Sequence, residues 1–316
     1  MKIVVLDGYT LNPGDLNWNQ IKTLGDIIIY DRTDSADIIS RIGDAEVVLT
    51  NKTPIRKETM KACPNIKLIS VLATGYDVID IEAAKQLGIA VCNVPAYGTY
   101  SVAQFAISLL LEICYHVGYH DNAVKEGRWE NSADWCFWDK PLLELYGKTM
   151  GIIGYGRIGQ TTGRIARALG MKIIANDKHE NPTLKDVEYV SFDDLCSRAD
   201  VIVLHCSLTK ENQQFIDKKA IAKMKKNAII INNARGQLIN EKDLADALNE
   251  GRIYAAGIDV VSKEPIEKDN PLLKAKNCYI TPHMSWGSVE ARKRIMDMTY
   301  ENIQGYLNDK TVNRIV

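Results

Sequence analysis

The sequence predicts an α/β protein made of two doubly wound parallel-sheet domains, one inserted into the other. Three observations carry this. Short apolar runs of strand length alternate with helix-compatible runs along the chain, the pattern that gives parallel sheets covered by helices on both faces. The alternation breaks at a long apolar helix after the first hundred residues and restarts near Lys148 behind a glycine-rich turn. The length, 316 residues, suits two cores better than one.

The first unit opens with "KIVVL", which stops at Asp7-Gly8. It is too short for the core of a signal peptide and lacks a cleavage site, so it reads as a strand. "DIIIY", "EVVLT", "KLISV" and "IAVC" follow as strands, with "SADIISRI" and "DIEAAKQLG" as helices between them. In "SVAQFAISLLLEICY", Gln104, Ser108 and Glu112 fall four residues apart and give one polar face to a buried helix. It lacks the ~20 unbroken apolar residues that a membrane span needs. The second unit runs from "GKTMGIIGYG" through the helix "RIGQTTGRIARALG" to the strands "MKIIANDK", "ADVIVLHC", "NAIIINNA", "IYAAGIDV" and "NCYITPH". In the last segment Ala291, Ile295, Met298 and Ile303 recur at roughly helical period. This helix is too polar to stand alone and is expected to return to the first unit. The expected domains are residues 1–101 with 287–316, and 102–286, with hinge crossings near Val102 and Gly287.

Composition narrows the function. Lys+Arg 39 against Asp+Glu 40 gives a net charge of -1, so neither a nucleic acid nor a membrane surface is expected as partner. The seven cysteines show no CxxC pair and fit reduced thiols in a cytoplasmic protein. His116 and His120 share a helix face but lack a third ligand, and no metal is expected.

"GYGRIG" places Gly154, Gly156 and Gly159 in a G-x-G-x-x-G pattern between a strand and a helix, the context that marks a Rossmann dinucleotide-binding unit. The glycines allow a tight turn and close approach to a pyrophosphate, and the helix N-terminus supplies partial positive charge. Asp177, at the end of the next strand, suits the adenosine ribose hydroxyls and repels a 2′-phosphate. This favours NAD over NADP, although the adjoining Lys178 and His179 pull the other way.

Arg235, Asp259, Glu264 and His283 all fall just past apolar strands. In a parallel sheet such positions gather at the carboxyl edge, where ligands bind. Arginine can grip a carboxylate bidentately, histidine can exchange a proton, and a glutamate beside it stabilises the imidazolium. Singly, each has a plainer reading: a salt-bridge partner, a loop residue, a structural histidine. Together with the glycine loop they read as a catalytic set.

These residues lie in a wider pattern: "VLATGYDVIDIEAA", "SVAQ", "GKTMGIIGYGRIGQ", "NNARGQLINEKDLADAL", "AAGIDVVSKEP" and "TPHMSWGS". Over nearly the whole chain it resembles the D-isomer-specific 2-hydroxyacid dehydrogenase family. The resemblance implies a Rossmann NAD-binding domain inserted into a flavodoxin-like substrate domain. It implies Arg235 as the substrate-carboxylate binder, His283 as acid/base and Glu264 as its partner. Cofactor contacts are implied for Thr74, Arg157, Ile158, Asp177, Cys206, Asn233, Ala234, Arg235, Asp259 and His283 to Trp286, including Ser285. Asp259 is expected to orient the nicotinamide carboxamide, and the turn Ala73–Thr74–Gly75 to offer N–H groups to the substrate carboxylate. Ser207 stands where the family commonly has proline, which puts the local loop shape in question. "LDGYTLNPGDLNW", "TNKTP", "WCFWDKPLLEL" and "HMSW" look most like the members that interconvert hydroxypyruvate and D-glycerate; glyoxylate, D-lactate or phosphoglycerate chemistry is the alternative. A non-enzymatic NAD(H)-sensing protein, like the corepressors related to the family, shares the motifs, but this chain lacks their extended tails. The aromatic segment around Trp135, Phe137 and Trp138 is expected to form a homodimer arm, from which the resemblance implies that Trp138 can reach the partner's substrate site.

Overall fold

In the computed structural model, which describes all 316 residues, contacts divide the chain into residues 1–98 with 286–316 and residues 99–285. In the first unit β1 (Lys2–Val5), β2 (Asp26–Ile29), β3 (Val47–Thr50), β4 (Leu68–Val71) and β5 (Ala90–Cys92) are parallel, in the order β2-β1-β3-β4-β5. This is the flavodoxin-like order. β3 and β4 are buried along their whole length, whereas edge strand β2 alternates with solvent. That explains why the central strands read as continuous apolar runs. The helix Ile81–Leu87 starts where the Asp80 side chain accepts from the Ala83 N–H, and stops at left-handed Gly88.

The helix Val289–Leu307 lies in this unit, capped by Ser288. Its buried face carries Ala291, Ile295 and Ile303, but also the wholly buried Thr299 and Asn302. Apolar periodicity alone could not reveal these two.

The second unit contains β6 (Thr149–Ile153), β7 (Lys172–Asn176), β8 (Glu188–Tyr189), β9 (Val201–Leu204), β10 (Ile229–Asn232), β11 (Ala255–Ile258) and β12 (Cys278–Ile280). All are parallel, in the order β12-β11-β10-β9-β6-β7-β8. This is the Rossmann order with one added strand, and its switch point lies between β6 and β9. β8 was not expected from sequence. It is a two-residue edge strand with no apolar run to announce it. The buried helix Thr99–Tyr115 lies wholly in this unit, so the chain enters it slightly before Val102. Trp286, placed by sequence at the end of this unit, belongs to the first, where its ring meets Tyr97 edge-on at 6.4 Å.

All seven cysteines are free, and no single helix is long and apolar enough to cross a membrane.

A buried arginine fixes the start of the last helix. Arg292 grips Asp15 with both terminal nitrogens (2.7 and 2.5 Å) and donates to the carbonyls of Leu11 and Gly287. Its guanidinium holds the Asp15 carboxyl below the usual carboxylate range. Arg292→Met leaves those two carbonyls without their donor, so we expect a loss of about 1–3 kcal/mol, read as a lower denaturant midpoint. An unchanged midpoint would count against this role.

Candidate active site

Strand register builds the site. Asn176 on β7, Ile153 on β6, Leu204 on β9, Asn232 on β10, Ile258 on β11 and Ile280 on β12 are paired across the sheet in a single row. Just past that row come Asp177, Gly154, Cys206, Arg235, Asp259 and His283. Neighbouring strands lie about 4.8 Å apart. Residues distant in sequence are thereby delivered to one edge, at the switch point where ligands of such sheets bind.

The glycine loop meets the demands of a dinucleotide. Gly154 has φ +92, and a Cβ there would lie 2.4 Å from the backbone nitrogen of Cys206. At Gly159 a Cβ would lie 2.3 Å from the Gly154 carbonyl oxygen, whereas at Gly156 it would meet nothing within 4 Å. The first and third glycines thus seal the turn against the protein, and the second leaves the outer side open. The helix Arg157–Ala168 that follows has no side-chain N-cap, so its leading N–H groups remain available to an anion. Asp177 accepts from the N–H of Tyr155 at 2.5 Å and of His179 at 2.8 Å, fixing its carboxylate against the loop. The amide oxygen of buried Asn233 has no partner within the protein, and its nitrogen donates to the Val102 carbonyl. These features fit a nicotinamide dinucleotide. His205 is structural: its Nε2 pairs with Thr162 at 2.8 Å, and burial pushes its imidazole down to about 3. Burial likewise pushes the Cys206 thiol up to about 11.

At the other half of the edge, His283 Nδ1 pairs with Glu264 Oε2 at 2.7 Å, and Glu264 Oε1 accepts from the Val261 N–H at 3.3 Å. Nδ1 is thus engaged with the carboxylate, leaving Nε2 as the ring's other proton site. His283 has φ +52, a conformation uncommon outside glycine, and its N–H donates to the Asp259 carbonyl. The buried Asp259 carboxylate accepts from Thr281 Oγ1 (2.6 Å), Met284 N–H (2.9 Å) and Ser285 N–H (2.9 Å). Sequence reasoning gave Asp259 a cofactor role. The bonds present tie it to the histidine loop.

Arg235 has no carboxylate partner; its Nη1 donates to the Ala234 carbonyl at 2.7 Å. The loop is shaped by Asn232, which sequence reasoning missed: its amide donates to the Arg235 carbonyl and accepts from the Ala234 N–H. A buried asparagine closing an apolar strand was the available signal. Gly236 is a second omission. A Cβ there would fall 1.9 Å from the Val261 carbonyl carbon, so the Arg235 loop lies directly on the loop that bonds Glu264. Gln237 adds a bond to the Ser262 carbonyl. The Glu264 loop therefore touches both the Arg235 loop and His283.

In the first unit, the turn after β4 has its carbonyls engaged and its N–H groups open. The Ala73 carbonyl accepts from the Val94 N–H and the Thr74 carbonyl from Asn93. The N–H groups of Thr74, Gly75 and Tyr76 find no acceptor in the protein. Trp138 is largely exposed, and no bond or ring contact joins it to the Arg235 or His283 loops. His116 and His120 are taken up by Tyr279 and by a backbone carbonyl.

Residues 107–285 match the family model for the D-isomer specific 2-hydroxyacid dehydrogenase NAD binding domain. A hydroxypyruvate reductase of Blautia hydrogenotrophica is 59% identical over 99% of both chains. The chain belongs to the D-isomer-specific 2-hydroxyacid dehydrogenases. A glycerate dehydrogenase of Methylorubrum extorquens is 38% identical over 88% of this chain and 87% of its own. The solved D-lactate dehydrogenase of Lactobacillus jensenii with NAD+ superposes with a TM-score of 0.83 at 26% identity, covering 100% of this chain and 99% of that one. As a member of the family the protein is an oxidoreductase acting on a CH–OH group of a small 2-hydroxy acid or its 2-oxo counterpart, and its second unit is the NAD-binding domain.

The contact under Gly236 gives a test. Gly236→Ala forces the Arg235 and Glu264 loops apart, so turnover of a 2-oxo acid, followed by NADH absorbance, is expected to fall at least about tenfold. Normal turnover in a folded variant would show that the loops need not touch.

Proposed function

We propose that this protein reduces hydroxypyruvate to D-glycerate with NADH. The observation that carries the reaction is that the Glu264 loop joins an arginine loop with no internal counter-ion to a histidine backed by a carboxylate. Such a pair suits a substrate bearing its own carboxylate beside a carbonyl. Hydroxypyruvate is favoured among 2-oxo acids by the 59% identity over nearly all of both chains to the relative that bears its name.

When bound, the nicotinamide cofactor supplies the hydride for the substrate carbonyl. The chain does the rest. Arg235 grips the carboxylate with its planar fork and polarises the adjoining carbonyl. His283 donates a proton from Nε2 to the developing alkoxide, while Glu264 holds Nδ1 and keeps the ring in place. The N–H groups of the Ala73–Thr74–Gly75 turn give the carboxylate further donors. The glycine loop with Arg157 and Ile158 takes the pyrophosphate, and Asp177 the adenosine ribose, which favours NAD over NADP. Thr74, Cys206, Asn233, Ala234, Arg235, Asp259, His283, Ser285 and Trp286 complete the cofactor contacts.

The protein acts as a homodimer. Trp129, Trp135 and Trp138 are 53%, 87% and 64% exposed within one short segment, a density of exposed aromatics that suits an interface. Trp138 reaches the partner's substrate site from that arm. Seven free thiols suit a cytoplasmic setting.

His283→Ala is expected to lower turnover at least ~100-fold with little change in NADH affinity. Near-normal turnover would remove His283 from the role. Arg235→Lys should be nearly as damaging, because an ammonium cannot reproduce the planar fork; unchanged KM and kcat would contradict the assignment. Rates with NADH across a panel of 2-oxo acids test the substrate, and a clear preference for glyoxylate or pyruvate over hydroxypyruvate would overturn it.

A further inference from the structure

A chain of asparagines, two of them buried, ends on the turn just assigned to the substrate carboxylate. Residues 311–316 run along the free edge of β5. The Ile315 N–H donates to the Val91 carbonyl at 2.7 Å, the Val91 N–H to the Val316 carbonyl at 3.1 Å, and Cys92 pairs antiparallel with Arg314. This brings Asn313 to Asn93, whose N–H donates to the Asn313 carbonyl at 3.2 Å. The Asn313 side chain, on a backbone with φ +46, donates to Asn302 Oδ1 at 2.9 Å. Asn302 is wholly buried on the last helix and donates to the Asn93 carbonyl at 2.8 Å. Asn93, itself buried, donates from its side chain to the Thr74 carbonyl at 2.8 Å. The Thr74 hydroxyl closes the arrangement by donating to the Val94 carbonyl at 2.8 Å.

Two buried amides and a half-buried one in series are expensive to desolvate, and a buried polar chain is stabilising only when its members satisfy one another. Aliphatic side chains could fill this space without that penalty. What the amides add is direction. The Asn93 amide fixes the Thr74 carbonyl, the Val94 backbone N–H fixes that of Ala73, and together they fix where the N–H groups of Thr74, Gly75 and Tyr76 lie.

We propose that Asn313, Asn302 and Asn93 are positioning residues that hold the Thr74 turn in its carboxylate-binding geometry, so that the last helix and the 311–316 segment set the affinity for the 2-oxo acid. This rests on the reading of the turn as a carboxylate site. The substrate carboxylate is held alike in the ground and transition states, so disturbing the relay should raise KM and leave kcat nearly unchanged.

Steady-state kinetics on three variants test this. Asn313→Gly keeps the left-handed backbone and removes the donor to Asn302. Asn93→Asp keeps the size and turns an acceptor toward the Thr74 carbonyl. Gly75→Val crowds the turn itself and tests the carboxylate reading separately. We expect all three to raise KM for hydroxypyruvate, Asn93→Asp by at least about tenfold, and the two asparagine variants to keep kcat within about twofold. If Gly75→Val raises KM but Asn93→Asp and Asn313→Gly do not, the relay is overturned and the turn's role stands. If Gly75→Val leaves KM unchanged, the carboxylate reading fails and the relay with it. If the asparagine variants alter kcat and both KM values together with a lower thermal midpoint, their role is structural only and the proposal is wrong.

Discussion

The carboxylate of Asp259 is the constraint on which the catalytic edge depends. It lies buried at the end of β11, and a buried charge is tolerated only when its lone pairs are met. It is met almost entirely by one loop, through Thr281, Met284 and Ser285, while its own backbone carbonyl takes the His283 N–H. The loop after β12 therefore has little freedom, and His283 is held with positive φ inside it. Placing the imidazole is in this sense a consequence of satisfying an anion one strand away.

The same economy shows in how charge is distributed. The histidine has a carboxylate at one nitrogen, and the arginine on the adjacent loop has none. A cation left without an internal partner, beside a proton donor and beyond strands that end on a dinucleotide loop, suits a substrate that brings its own negative charge. On the proposed reading, binding completes the electrostatics of the site. Preorganised groups of this kind need no rearrangement at the moment of reaction, which is where much of an enzyme's advantage arises.

Much of this was legible in the sequence because it follows from local rules. The G-x-G-x-x-G spacing, Asp177 after the next strand, and Arg235, Glu264 and His283 each just past an apolar run all follow from parallel-sheet geometry. What stayed hidden depends on burial, on partners far along the chain, or on elements too short to carry a pattern. Gly236 looks like any loop glycine until Val261 is seen against it. Asn232 and Asn302 read as ordinary polar residues, although both are buried and bonded. β8 has too few residues to carry a pattern. The tie from the Asp259 carboxylate to Thr281, Met284 and Ser285 is hidden because those partners lie 22 to 26 residues further along the chain.

The most direct measurement is a crystal structure with NADH and oxamate, an unreactive 2-oxo acid analogue. The oxamate carboxylate should lie on the fork of Arg235, with its carbonyl oxygen about 2.6–3.2 Å from His283 Nε2 and Nδ1 still on Glu264. An oxamate bound away from Arg235, or an imidazole turned from it toward some other group, would contradict the convergence of the three loops on one substrate.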